Sequence, residues 1–157
     1  MKTQGRKANP MRITSSQKRD VRTQFGALCY RVVEDKLQVL LITSRGTGRW
    51  IVPKGWPVPG ATPAGAAMQE AWEEGGVRGK TQGGCLGIYS YMKQDDTGTR
   101  PCVVAVFAVK VIALKREYPE SGQRRRKWFS RKKAAQLLDE PELKRMVLDF
   151  DPRALRR

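Results

Sequence analysis

The sequence predicts an α+β fold built around a mixed β-sheet. Strand-like apolar runs dominate the pattern. One helical segment is inserted early among them, and one or two more follow late. A chain of 157 residues with 39% hydrophobic content suits one domain with a real core.

The elements follow in order. Residues 1–20 are polar, basic and without periodicity, and read as an N-terminal arm. FGALCYRVV from Phe25 is a strand, EDK a turn, and QVLLITS a strongly buried second strand. RGTGR turns into the short strand WIVP, and Pro53, Pro57, Pro59 and Gly60 mark a loop. A helix starts after Thr62, an N-cap residue, with Pro63 at its first position. Ala64, Ala67, Met68 and Ala71 make its apolar stripe, and Gly75 and Gly76 close it. GCLGIYSYM and PCVVAVFAVKVIAL are strands joined by DDTG. The charged loop KREYPESGQRRR leads to the strand KWF. Ser130 caps a helix through KKAAQLL, and PELKRMVLDF forms a last helix or helical turn. The domain therefore spans 21–150, and 151–157 is a basic tail.

Composition narrows the chemistry. There are 31 basic residues against 15 acidic ones, a net charge of +16 that favours a polyanionic partner. There is no His, which removes imidazole ligands and His-based triads. Cys29, Cys85 and Cys102 lie far apart in apolar surroundings and read as small core residues in a reducing, cytoplasmic compartment. No apolar run approaches the ~18 residues of a membrane span, so no membrane is expected.

One stretch is locally costly. Glu70, Glu73 and Glu74 share one side of a helix at i, i+3 and i+4, where like charges repel. They also crowd the helix C-terminus, the negative end of the macrodipole, with no basic residue at i−4 or i−3. A solvated acidic face is one reading. A hard divalent cation is the other, because such ions take carboxylate and carbonyl oxygens.

The spacing resembles the Nudix box, GX5EX7REUXEEXGU with U aliphatic. Gly55, Glu70, Glu73, Glu74, Gly76 and Val77 match, with Ala71 at the first U. Ala61 stands at the first Glu position and Gln69 at the Arg position. SRGTGRWIVPKGW and GQRRRKWFSRKKAAQLL look like segments of the diphosphoinositol polyphosphate and diadenosine polyphosphate hydrolases, so the resemblance covers about residues 24–140. It implies the Nudix α/β/α sandwich. It also implies Mg²⁺ or Mn²⁺ held by Glu70, Glu73, Glu74 and the Lys54 carbonyl, with Glu70 the first choice to activate water. In the family the box Arg holds a carboxylate by an ion pair, which Gln69 cannot do. Glu120, ahead of Glu117, is the candidate further carboxylate.

Among the cations, Ser44, Arg45 and Arg49 resemble family positions that touch phosphates. Lys54 and Arg125 join them as substrate-binding candidates. Arg124, Arg125, Arg126 and Lys127 form one basic cluster, and Arg131, Lys132 and Lys133 another. The last three oppose the macrodipole at a helix start. The expectation is metal-dependent hydrolysis of a phosphoanhydride in a highly phosphorylated small molecule. The rival is a binding module with a worn box, holding a phosphorylated ligand or RNA without turnover. Hydrolysis of RNA 5′ ends is a third, disfavoured reading.

Overall fold

The computed structural model describes residues 21–155 apart from Thr97. The expected arm over 1–20 lies outside the described residues, as do the last two residues of the tail. The strands are β1 (Arg22–Val33), β2 (Lys36–Thr43), β3 (Trp50–Ile51), β4 (Lys54–Gly55), β5 (Val77–Asp95), β6 (Gly98–Leu114) and β7 (Arg126–Ser130). The helices are α1 (Pro63–Gly75), α2 (Arg131–Leu137) and α3 (Pro141–Asp149).

Seven strands form one sheet in the order β3-β2-β1-β6-β5, with β4 on β1 and β7 on β2. β1 and β6 run parallel, from Arg22↔Cys102 to Tyr30↔Lys110. The other pairs are antiparallel, so the sheet is mixed. The β1–β2 turn places Glu34 and Asp35 at φ 51° and 63°, where acidic turn residues are tolerated.

Each face of the sheet carries one apolar layer. Cys29, Leu40, Val77 and Val109 meet Ala67 and Ala71 of α1. Leu28, Val39, Leu41, Val104 and Val106 meet Ala134 of α2, its C-cap Leu138, and Leu143 and Val147 of α3. Period-two alternation along β1 and β2 sends neighbouring residues to opposite layers. The result is the α/β/α sandwich expected from the sequence.

Two local expectations need correction. Strand β5 begins at Val77, directly after the α1 cap, and not at Gly84. Its early part is polar, so an apolar pattern does not reveal it; backbone pairing to β6 holds it, from Val77↔Leu114 onward. Cys85 is exposed and not part of the core, because it sits where the β5–β6 register shifts. Cys29 and Cys102 are buried as expected.

Candidate active site

The site is assembled at the C-terminal end of α1. Thr62 Oγ1 accepts the Gly65 N–H at 3.0 Å and fixes where the helix starts. Gly76 takes the left-handed conformation, φ 66°, and ends it, donating its N–H to Trp72 O at 2.9 Å. Between these caps the helical period buries Ala67 and Ala71 and turns Glu70, Glu73 and Glu74 toward β4 and the β6–β7 loop.

Glu70 is the most perturbed of the three. Burial first, then repulsion from Glu74, Glu73 and Glu120, pushes its carboxyl up to about 8. Its Oε2 is buried and has no hydrogen-bond partner. It lies so close to Gly55 that a Cβ there would run into the carboxylate. Gly55 is thus needed for close approach of the loop, and the short β4 pairing with β1 at Phe25↔Gly55 holds it in place.

Glu74 is the best-buried carboxylate of the site. Burial raises its pKa, and Arg124 and the Lys54 N–H work against that rise. The Lys54 N–H donates to Oε1 at 3.2 Å, and Arg124 Nη2 donates to Oε2 at 3.4 Å. Glu73 lies on the same turn, and its carbonyl accepts the Glu120 N–H at 3.0 Å. That bond brings Glu120 to the box helix, while Glu117 stays exposed. Glu120 Oε1 in turn accepts Arg124 Nε at 3.0 Å.

Two lines of alternating charge radiate from Glu74. One passes through Arg124 and Glu120 to Arg45, whose Nη1 lies 3.9 Å from Glu120 and 3.1 Å from Gln123 Oε1. The other passes through Lys54 and Glu140 to Arg49, which pairs with Glu140 at 2.9 Å and Asp139 at 3.3 Å. Burial brings the Lys54 ammonium down to about 8, against the pull of Glu74 and Glu140. Its Nζ rests 4.9 Å from the Tyr91 ring centroid.

The phosphate-binding candidates border one turn. Ser44 Oγ accepts the Arg49 N–H at 3.0 Å and meets Thr47 Oγ1 at 2.7 Å, which closes the turn between β2 and β3. Arg125 is anchored beside it through Thr43, and its guanidinium lies 5.3 Å from the Trp50 ring centroid. Arg131 does not join the site; it donates to the Phe150 carbonyl. A cavity of about 400 Å³ between β5 and α3, lined by Leu86, Ile88 and Met146, holds none of the box carboxylates.

Three contributors were not singled out from sequence. Asp139 and Glu140 lie in a short linker with no motif to mark them. Arg124 stands in a basic cluster of which the sequence offers Arg125 as the substrate-binding candidate. The available signal was alternation: Arg124, Arg126 and Trp128 share the α1 side, whereas Arg125 and Phe129 face the other.

Among the described residues, no three carboxylate, thiol or imidazole groups are already drawn together at metal-ligand spacing. The donor set nonetheless suits a hard divalent cation. It is all oxygen, it has no counter-charge on Glu70, and it leaves Glu70 Oε2 buried and unpartnered beside a glycine cradle.

The comparisons with known proteins agree with this fold. The NUDIX domain model matches residues 22–150. Mouse diphosphoinositol polyphosphate phosphohydrolase 3-alpha is 32% identical over 134 residues, covering 84% of this chain and 78% of that protein. In fold, the Escherichia coli dihydroneopterin triphosphate pyrophosphohydrolase superposes with TM-score 0.62 at 18% identity, covering 84% of this chain and 96% of the other. The Caenorhabditis elegans Ap4A hydrolase gives 0.58 at 18%, covering 82% and 94%. The chain belongs to the Nudix family.

Proposed function

We propose that this chain hydrolyses a phosphoanhydride in a highly phosphorylated small molecule, such as a diphosphoinositol polyphosphate or a dinucleoside polyphosphate, with Mg²⁺ or Mn²⁺ as cofactor. The observation that carries the reading is the convergence on Glu70: a buried carboxyl with an unpartnered oxygen, two neighbouring box carboxylates, and a glycine held against it. Glu70, Glu73 and Glu74 would hold the cation, with the Lys54 carbonyl and Glu120 completing the set. When bound, the cation polarises the diphosphate and makes water a better nucleophile.

The remaining steps belong to the chain's own groups. Without a cation Glu70 holds its proton at neutral pH; beside a divalent ion the carboxylate is favoured, and its Oε2, which has no competing partner, can then take a proton from water. Ser44, Arg45, Arg49, Lys54 and Arg125 would bind the other phosphates and stabilise charge on the leaving group. Arg49 is already paired with Glu140 at 2.9 Å, so a phosphate would compete with that acid, whereas Arg45 is largely exposed and only loosely paired with Glu120 at 3.9 Å. Arg125 carries no such acid partner among the described residues and is the readiest anchor.

Residues 21–150 would carry the hydrolase domain, flanked by the basic segments 1–20 and 151–157. The cytoplasm fits three unpaired cysteines, and no described helix is long and apolar enough to cross a membrane.

The test is release of phosphate or a phosphorylated product from a panel of diphosphate compounds, with Mg²⁺, Mn²⁺ or EDTA. Metal-dependent turnover that Glu70→Gln abolishes is expected. Tight binding of the panel without turnover would establish the binding-module reading. RNA binding with a steep linear dependence on log salt, insensitive to Arg45 and Arg49, would sink the small-molecule reading.

A further inference from the structure

The box position that calls for arginine holds Gln69, exposed on the outer side of α1. Yet Glu74 does not lack a guanidinium. Arg124 supplies one from the loop before β7, on the opposite side of the sequence. All three of its nitrogens are engaged: Nε with Glu120 Oε1 at 3.0 Å, Nη1 with Thr43 O at 3.2 Å, and Nη2 with Glu74 Oε2 at 3.4 Å. Its side chain is 8% exposed. Arg126, two residues on and on the same side, donates through Nη1 to Gly75 O at 2.8 Å.

We infer that Arg124 is the positioning residue for Glu74, orienting that carboxylate from outside the box. The inference rests on the reading of Glu74 as part of the site. Arg124 is poorly placed to bind substrate, because its nitrogens are committed inside the protein. Its reach across Thr43, Glu120 and Glu74 ties the end of β2, the β6–β7 loop and the last turn of α1 into one frame. The Lys54 N–H fixes the other oxygen of Glu74, so the carboxylate is held at both ends. Both arginines also place positive charge at the negative end of α1, whose last turn has no basic residue of its own. The spacing of the frame explains why the cluster needs Arg at position 124: a lysine is a point charge and cannot reach three acceptors in a fork.

Arg124→Gln and Arg124→Lys are compared with Arg125→Gln by three readouts. These are Mn²⁺ affinity from the EPR signal of free Mn²⁺ without substrate, the kcat and KM of the best panel substrate, and the melting temperature. Arg124→Gln is expected to weaken Mn²⁺ binding and lower kcat by about 10- to 100-fold, with KM little changed. Arg124→Lys should recover part of that loss. Arg125→Gln should instead raise KM and leave Mn²⁺ affinity unaltered. A rise in KM alone for Arg124→Gln would make Arg124 a phosphate ligand and overturn the inference. Unchanged Mn²⁺ affinity with a lower melting temperature would make it merely structural and overturn it too. Should Arg124→Gln fail to fold, Arg124→Lys alone decides: wild-type Mn²⁺ affinity and kcat would contradict the frame. A wild-type chain that binds no Mn²⁺ would overturn the metal reading and this inference together. Wild-type binding no tighter than that of Arg124→Gln would overturn this inference alone.

Discussion

Two helix ends in this molecule run against their own dipoles, and they differ in what surrounds them. α1 ends in Glu70, Glu73 and Glu74, acids at its negative pole. α2 begins with Arg131, Lys132 and Lys133, cations at its positive pole. At α1, groups from β4, the β6–β7 loop and β7 converge on the unfavourable end: the Lys54 N–H, Glu120, Arg124 and Arg126. At α2, Arg131 donates to a backbone carbonyl, and Lys132 and Lys133 are exposed. Local electrostatic cost alone therefore does not mark a site. What separates them is whether distant elements have been shaped around the cost.

Variants at the two ends should behave differently. The largest effect belongs to the α1 acids. Glu70→Gln should lower kcat by about 10²- to 10⁴-fold while the protein still folds. A change below that range, measured by steady-state turnover, would remove Glu70 as the proton acceptor. Next comes Gly55→Ala, which pushes a methyl group into the Glu70 carboxylate. Denaturant unfolding should show a loss of about 1–3 kcal/mol together with reduced turnover. Arg126→Gln removes a charged hydrogen bond from the α1 terminus and should cost about 1.5–3 kcal/mol of stability, leaving KM unchanged.

The pH dependence isolates Glu70. Its folded pKa lies near 8 against an ordinary 4.5, so the folded state holds the extra proton between those values. Its contribution is full below the lower value and is lost as pH rises toward 8. Without metal, wild type should lose stability relative to Glu70→Gln across that window. Parallel curves for the two proteins would show that burial does not hold the proton. The smallest effect lies at α2. Lys132→Gln with Lys133→Gln should stabilise the fold slightly, by about 0.3–1 kcal/mol for each charge, and leave turnover alone. A loss of turnover there would bring the second basic cluster into the site and erase the contrast.

Much of this was legible in the sequence, for physical reasons. The α1 caps, Thr62 and Gly76, carry side-chain and backbone rules that act locally. The strands β1, β2 and β6 are buried on both faces, so their apolar runs are long and unmistakable. The acids of α1 were visible because helical spacing is short-range. The start of β5 was not, since a polar edge strand is held by backbone pairing that leaves no pattern. The partners of those acids were hidden for a related reason. Arg124 and Glu74 lie 50 residues apart, and Arg49 and Glu140 lie 91 apart. Only the folded sheet sets β7 beside β2 and brings such pairs together.

The most direct test of the central claim is the melting temperature with Mn²⁺ against EDTA, for wild type and for Glu73→Gln with Glu74→Gln. The acids of α1 repel one another, and a cation that binds only the folded protein stabilises it by mass action. At about 100 times its Kd, Mn²⁺ should add roughly 2.7 kcal/mol to wild type, and far less to the double variant. An equal rise in both proteins would show that the cation binds elsewhere, and that the end of α1 is not the hydrolytic centre.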